Sequence, residues 1–354
     1  LDSAPSVSVI ILNWNGKRHL ERCLPSLRNT NYPSEKIELI VVDNKSSDGS
    51  KAFVRNFFPE IIFLELDKNY GFTGGNNRGA EVAHGELLVF LNNDTLVDDN
   101  WLVELVKVAN NDKQIGICGS KILFEERRNI VQYAGGFLNT LGGGVSPFVY
   151  TEDTGMNDTK LTGYVCGACL LIRRDVFEKL GGFDEDYFMY SDENDLCLRC
   201  WLLGYNVVYV PKSIVYHKGE GSIKLRRQER GLYTQIRDPP PMLQGRLISD
   251  MRLYYSNRNS LSNIWKNLEP RNVLFGTVFS GVLCGYQLFS LLKQKTPAKI
   301  LIVLKGLFSF LRSLPKVLVK RWRVQSYRVS KDQDLLNKGV MLSLGSLIAI
   351  AFKH

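Results

Sequence analysis

Acidic residues nearly disappear from the last third of this 354-residue chain: residues 221–354 hold 6 Asp and Glu against 23 Lys and Arg, while residues 1–220 hold 30 against 22. The net charge of +9 is therefore the difference between an acidic first part and a strongly basic tail. Such a tail meets nucleic acid or an anionic lipid surface, and the apolar residues interleaved with this one favour lipid, so nucleic acid is not expected as a partner. A paired cysteine framework is also missing. The seven cysteines (Cys23, Cys118, Cys166, Cys169, Cys197, Cys200 and Cys284) are odd in number and scattered, which argues against a disulfide scaffold and fits reduced thiols in a cytosolic compartment. Cys166 and Cys169 have the spacing of a zinc or redox pair, but Cys197 and Cys200 sit in a helical pattern around Leu196 and Leu198, so a structural zinc site is not expected. Leu1 to Pro5 offers neither the basic start nor the apolar core of a secretory leader, and the expectation is a main domain that stays in the cytosol. No Gly-x-Gly-x-x-Gly follows the first strand pattern. Asn13-Trp14-Asn15-Gly16 stands there instead, which argues against a nicotinamide-binding oxidoreductase.

What the chain does have is 44% hydrophobic residues, enough at this length for at least one large core. Four short apolar runs, Val7 to Leu12, Ile37 to Val42, Ile61 to Leu64 and Leu87 to Leu91, alternate with helical patterns such as Leu20, Cys23, Leu24 and Leu27. This alternation predicts an α/β fold with a mainly parallel sheet, in which ligands bind beyond the carboxyl ends of the strands. Residues 120–165, with Gly135-Gly136 and Gly142-Gly143-Gly144, read as an irregular or antiparallel segment. Cys169 to Ile172 is a further strand and Arg174 to Leu180 a helix stopped by Gly181-Gly182; Ser191 is expected to cap a helix from Asp192 to about Leu203. Val207 to Val210 and Ile214 to Tyr216 are short strand runs before His217.

Polar residues gather at the ends of these strands: Asn13, Trp14 and Asn15 after the first, Asp43 and Asn44 after the second, Asn92, Asn93 and Asp94 after the fourth. Asn and Asp favour turns for backbone reasons alone, yet three strands ending this way on one edge point to a ligand. Asp43 and Asn15 suit the edge of a pyrimidine or a ribose, and Gly71, Gly74 and Gly75 would let backbone amides approach a phosphate. Asp94 is a hard oxygen ligand suited to Mg²⁺ or Mn²⁺ bridging two phosphates. Asn92 can assist through its carbonyl or hold a ribose. His217 can add a ligand or a diphosphate contact, although a lone histidine is more often structural. Asp192 and Glu193 open a helix, where the dipole favours the ionised carboxylate a general base requires, or where they simply complement that dipole. Asp195 and Arg199, four apart, read as a scaffold ion pair.

Several of these residues lie in runs that resemble a known family. Ser8-Val9-Ile10-Ile11-Leu12-Asn13-Trp14-Asn15-Gly16, Val42-Asp43-Asn44 with Ser46-Ser47-Asp48-Gly49-Ser50, Asn69-Tyr70-Gly71-Phe72 with Gly74-Gly75-Asn76-Asn77, and Leu91-Asn92-Asn93-Asp94-Thr95 look like family 2 glycosyltransferases, especially their rhamnosyltransferase-like branch. Gly182-Phe183-Asp184-Glu185 through Tyr190 to Arg199 resembles the acceptor and base region, and Tyr216-His217 with Gly219, Gly221 and Ser222 the late histidine segment. The resemblance covers roughly residues 6–222 in the expected order. It implies the A-type glycosyltransferase fold, a Rossmann-like nucleotide-diphospho-sugar transferase architecture, with a single inverting displacement and a divalent cation. By this resemblance Asp94 is a metal ligand and His217 a second. Asn13, Asn15, Asp43, Asn44, Asn69, Gly71, Gly75, Asn76, Asn92 and Asn93 bind the donor, and Gly167 and Ala168 line the donor-sugar and acceptor pocket. Glu193 holds the position of the family's catalytic aspartate, but the order Asp192-Glu193 reverses the common Glu-Asp, so either carboxylate is a candidate base. Asn92 replaces the aspartate that commonly opens the metal motif, which leaves fewer charged ligands. The resemblance leans toward rhamnose on thymidine diphosphate, with uridine diphosphate sugars second, and toward a lipid-linked or cell-surface polysaccharide acceptor. A sugar-nucleotide-binding scaffold without turnover is the alternative.

The expected organisation is a catalytic domain over residues 1–222, a basic linker or acceptor-side segment over 223–270 containing Pro239-Pro240-Pro241, and an apolar, basic helical region over 271–354. Val273 to Leu292 carries no charged residue and is long enough to span a bilayer. Eleven Lys and Arg follow in residues 293–331; they prefer the cytoplasmic side, where the catalytic domain must also meet its nucleotide sugar. A re-entrant or in-plane platform at the cytoplasmic face of the cell membrane is therefore expected in place of a simple span. Ile300, Leu301, Leu304, Leu307, Phe308 and Leu311 share one helical face, with Lys299, Lys305, Arg312, Lys316 and Lys320 around it, as in an interfacial helix. A soluble helical subdomain that packs this stripe internally is the other reading. Gly339 to Phe352 is too short to span.

Overall fold

The structure, a computed structural model, describes residues 4–219 and 249–352. The expectations placed on Gly221, Ser222 and Pro239 to Pro241, with most of the 223–270 segment, lie outside the described residues.

The first four strands form on the four apolar runs. β1 (Val7–Asn13), β2 (Ile37–Asp43), β3 (Ile62–Glu65) and β4 (Leu87–Asn92) are parallel, in the spatial order β4-β1-β2-β3. α1 (Lys17–Leu27) and α2 (Ser50–Phe57) pack Leu20, Leu24 and Val54 against Val9 and Ile11 on one face of the sheet. On the other face α3 (Gly71–Val82) brings Gly79 up to Ile10 and Val42. Covered on both sides, β1 is an almost continuous apolar run, and each Val, Ile or Leu it buries contributes roughly 1.5–3 kcal/mol.

Beyond β4 the chain adds β5 (Thr95–Val97), α4 (Trp101–Asn111), β6 (Ile115–Phe124), β7 (Arg127–Tyr133), β8 (Phe137–Asn139), β9 (Gly144–Val145), β10 (Lys160–Leu161) and β11 (Cys169–Arg173). Then come α5 (Arg174–Leu180), α6 (Asp192–Leu202) and β12 (Asn206–His217). The sheet order is β10-β12-β6-β11-β4-β1-β2-β3, and β11 is antiparallel to both β4 and β6. The expected mainly parallel sheet is thus mixed. A run such as Cys169-Leu170-Leu171-Ile172, buried on both faces, announces a central strand but not its direction. The two runs before His217 are one strand, with a register shift between Val210 and Ile214, around Pro211, which has no N–H for the ladder. Ser191 does precede α6, but in left-handed backbone (φ 60°) and without a side-chain cap bond, since a capping hydroxyl needs extended backbone to reach the helix amides.

The chain divides into two compact units. One holds the sheet and its helices. The other comprises Thr140–Gly143 with α7 (Asp250–Asn267), α8 (Pro270–Lys293) and α9 (Pro297–Ser326) up to Gln325. The tail departs from its expected place: the 271–354 region divides at Ser326, and from there onward the chain returns to the first unit. There α10 (Asp332–Asn337), β13 (Met341–Leu342) and α11 (Leu344–Phe352) form, with β13 parallel to β8. Val329 N–H donates to Leu202 O at 2.7 Å, Leu138 N–H to Val340 O at 3.0 Å, and the Lys338 ammonium lies 5.1 Å from the Trp201 ring centroid. Backbone pairing of this kind leaves no pattern in the tail's own residues, so the sequence does not announce it.

Candidate active site

The carboxyl ends of β1, β2 and β4 meet in one hydrogen-bonded chain. Asn93 Nδ2 donates to Asn13 Oδ1 at 2.8 Å, and Asn13 Nδ2 donates to Asp43 Oδ1 at 2.9 Å and to Ser46 Oγ at 3.1 Å. Asp43 Oδ2 accepts from Ser46 N–H at 2.8 Å. Asn15, at φ 50°, donates its N–H to Ser46 Oγ and accepts from Ser47 N–H through Oδ1, both at 2.8 Å. Asn is among the few residues that tolerate this backbone region. Gly16 makes the chain possible, since a Cβ there would stand 2.3 Å from Asn93 Nδ2 and 2.6 Å from Asn13 Oδ1. Asn13 and Asp43 are buried, whereas Asn15 is exposed and Asn92, Asn93 and Asp94 are partly so. The loop thus presents a rigid polar floor with an open rim.

Asp94 and His217 face each other across that rim, because β12 pairs antiparallel with β5, His217 opposite Thr95. His217 Nε2 lies 3.1 Å from Asp94 Oδ1, and His217 Nδ1 donates to Gln132 Oε1 at 2.8 Å. The Gln132 contact holds Nδ1 and leaves Nε2 turned toward the Asp94 carboxylate. Burial pushes the Asp94 carboxyl up, but the His217 hydrogen bond and charge, with the charge of His19, outweigh it and hold the group below the usual carboxylate range. The Asn92 N–H is fixed by Ala168 O at 3.0 Å.

A third arm comes from the start of α6. Phe188, Tyr190 and Ser191 all have φ near 60–66°, and three non-glycine residues in left-handed backbone within four positions store strain of the kind that gathers at functional sites. Phe188 O accepts from Phe72 N–H at 2.6 Å, tying this turn to α3. Asp192 is buried, and burial with the charges of Glu193 and Asp195 pushes its carboxyl well above the usual range. Glu193 is partly exposed. Gly167 leaves room beside it: a Cβ there would stand 4.0 Å from Glu193 Cβ. Burial, with the charges of Glu193 and Asp94, pushes the nearby Cys166 thiol up to about 12. Asp195 and Arg199 form the expected pair, with Nη2 to Oδ2 at 2.7 Å; the guanidinium also donates to Leu180 O and Gly182 O, each at 3.0 Å.

Residues 8–181 match the sequence pattern of Glycosyl transferase family 2. The chain carries a glycosyl transferase family 2 domain. The O-antigen biosynthesis protein RfbC of Myxococcus xanthus is 34% identical over 229 residues, which are 62% of this chain and 18% of that protein. An N-acetylglucosaminyl-diphospho-decaprenol L-rhamnosyltransferase of Mycobacterium tuberculosis is 26% identical over 59% of this chain and 75% of its own. The chain therefore spans less than a fifth of the first relative and three quarters of the second. Among solved structures, the mannosyltransferase PcManGT from Pyrobaculum calidifontis, in complex with GDP-Man and Mn²⁺, aligns with a TM-score of 0.53 at 16% identity, over 92% of this chain and 86% of that one. At that identity the likeness speaks for the fold, and the fold is the A-type glycosyltransferase fold.

Across the family 2 domain and the segment that follows it, the structure gathers Asn13, Asn15, Asp43, Asn93, Asp94 and His217 at one sheet edge, and Gly167 beside Glu193. Other candidates hold the scaffold. Asn44 donates to Gly71 O at 3.0 Å and accepts from Tyr70 N–H at 3.2 Å; Asn69 accepts from Gly71 N–H at 2.8 Å. Asn76 is buried and donates to Phe72 O in its own helix, and a Cβ on Gly75 would strike Leu12. Two neighbours of the site go unmarked in the sequence: His19, one turn into α1, and Gln132 on β7. Neither sits in a motif; each reaches Asp94 or His217 only through the folded sheet.

Proposed function

We propose that this protein is an inverting, metal-dependent glycosyltransferase that moves a sugar, rhamnose first among candidates, from a thymidine or uridine diphosphate donor to a hydroxyl of a lipid-linked saccharide or cell-surface polysaccharide precursor at the cytoplasmic face of the cell membrane. The observation that carries this reading is the Asp94–His217 pair at 3.1 Å, on the same rim as the partly exposed Asn92 and Asn93.

The pair fits a divalent cation. Adjacent corners of an octahedron with bonds of about 2.1 Å are roughly 3 Å apart, close to the observed separation, and Gln132 orients His217 as an outer-shell partner does. Among the described residues no group of three or more His, Cys, Asp and Glu gathers to hold a metal, so any further ligands to a cation held by this pair would come from the substrate or solvent. Asp94 and His217 would hold Mg²⁺ or Mn²⁺, whose chemistry there is neutralisation of the departing diphosphate. Asn13, Asn15 and Asp43 form the floor for the nucleoside. Glu193 takes the proton of the acceptor hydroxyl while that oxygen attacks the anomeric carbon from the face opposite the diphosphate, and the configuration inverts. The named relative that transfers L-rhamnose to a decaprenol-linked sugar supports the sugar and acceptor classes.

The test follows nucleotide diphosphate release from a panel of nucleotide sugars, with and without Mn²⁺ or Mg²⁺, with membrane extract as acceptor source and Asp94→Ala as control. Metal-dependent release from one donor, lost in the variant, is the expected result. Donor binding with no release from any of them would replace this reading by a sugar-nucleotide-binding scaffold.

A further inference from the structure

In the second unit, α8 is built inside out. Its buried stripe is Gly276, Ser280, Cys284, Gln287 and Leu291, while Leu274, Phe275, Val278, Val282, Tyr286 and Phe289 face outward, each more than half exposed. A helix on a water-facing surface does the reverse, burying its large apolar residues and exposing small and polar ones. α9 repeats the feature. Val303, Gly306, Phe310, Val317 and Val324 are buried, and Leu301, Leu304, Phe308, Leu311, Leu318 and Trp322 form an exposed stripe in which Phe308 is 67% and Trp322 77% accessible. One position around the helix from that stripe stand Lys305, Arg312, Lys316 and Arg323, all exposed. Residues 293–331 hold eleven Lys and Arg and no Asp or Glu.

The packing shows how these helices lie against each other. A Cβ at Gly276, near the start of α8, would stand 3.3 Å from Ile264 near the end of α7. Cys284 and Leu291 of α8 cluster with Leu253, near the start of α7, and with Val303 of α9. So α8 runs back along α7. α9 follows α7 forward: a Cβ at Gly306 would meet Tyr254 O at 2.9 Å, and Arg321 Nη1 donates to Trp265 O and Leu268 O at 2.8 and 2.7 Å. α7 itself is polar, with Arg252, Arg258, Asn259, Asn263 and Lys266. α8 is the one helix among the described residues long and apolar enough to cross a bilayer. If it stood across one, α7, packed along most of its length, would carry those charges into the hydrocarbon, where they are expensive.

We infer that α8 and α9 form a monotopic platform whose exposed apolar stripes insert, in the plane of the membrane, into a leaflet of anionic lipid, with the Lys305–Arg323 edge against the headgroups and α7 on the water side. This deepens and rests on the membrane placement proposed above, but it is independent of the transfer chemistry. The apolar faces supply insertion and the one-signed basic edge selects anionic over neutral headgroups. A second copy of the chain would set that positive edge against its own kind.

The full chain is tested by flotation with vesicles of phosphatidylcholine alone or with about 30% phosphatidylglycerol. Wild type is expected to float with the anionic vesicles and to be released by salt. Phe308→Glu with Trp322→Glu, both surface positions, lowers the bound fraction about tenfold; Arg312→Glu with Lys316→Glu abolishes the preference for anionic lipid. Melting curves matching wild type exclude misfolding, and donor turnover measured on the same samples separates failure of the platform from failure of the enzyme reading. Arg271→Cys and Lys293→Cys, at the two ends of α8, are then both labelled by an impermeant maleimide added outside the vesicles. No vesicle binding, binding indifferent to lipid charge, an apolar variant that breaks a dimer but still floats, or protection of one cysteine alone would each overturn the inference.

Discussion

Two adjacent carboxylates at the start of α6 have opposite circumstances. Glu193 is partly exposed beside Gly167, while Asp192 is buried with its carboxyl pushed well above the usual range by burial, then by Glu193 and Asp195. Glu193→Gln is expected to lower kcat by at least about 100-fold with donor affinity retained, whereas Asp192→Asn keeps turnover; a steady-state comparison of the two variants decides the base. Asp192 also sets a pH dependence. Because its folded-state pKa is raised, ionising it opposes folding: the penalty is absent below the unfolded value of about 3.9 and grows as pH rises toward the folded one. Asp192→Asn should therefore match wild type in acid and exceed it in stability at neutral pH, as read by denaturant unfolding at both. Gln132 acts through His217, whose Nδ1–H it accepts. Replacing it with Leu should weaken Mn²⁺ binding about 10–100-fold in a metal titration while the melting temperature holds.

The connection between α3 and α6 depends on backbone that few residues adopt. Gly71 opens α3 at φ 72°, and a Cβ there would stand 2.5 Å from Phe188 O, the same carbonyl that accepts from Phe72 N–H. Gly71→Ala should cost about 1–3 kcal/mol in chemical denaturation and loosen the turn before Glu193. Deeper in α6, Asp195 and Arg199 are both buried and share charge with the carbonyls that end α5. The pair was legible from its i, i+4 spacing, but its burial was not, since an exposed pair reads the same. Removing Asp195 leaves a buried guanidinium partly uncompensated, so Asp195→Ala should destabilise by about 3–5 kcal/mol, against at most about 1 kcal/mol for the exposed Lys179–Asp175 pair.

For the whole molecule, the stretch after Ser326 serves the first unit. It buries Leu335, Val340 and Met341, worth roughly 1.5–3 kcal/mol each, and pairs β13 with β8. A chain ending at Gln325 should lose its cooperative melt or melt many degrees lower, and an unchanged curve would show the return segment to be dispensable. What the amino-acid sequence determined alone was whatever depends on neighbours in the chain: the four parallel strands from their apolar runs, the polar residues at their ends from turn chemistry, the Asp195–Arg199 pair from helical spacing, and four of the six stripe residues on α9 from its period, Ile300 and Leu307 packing inward instead. Direction of β11, the return of the tail, the partnership of His19 and Gln132 with the Asp94–His217 pair, and the inverted burial of α8 were decided only by tertiary structure. Each of these is a contact between residues far apart in sequence, and neither composition nor period carries information about which distant surface an element will meet.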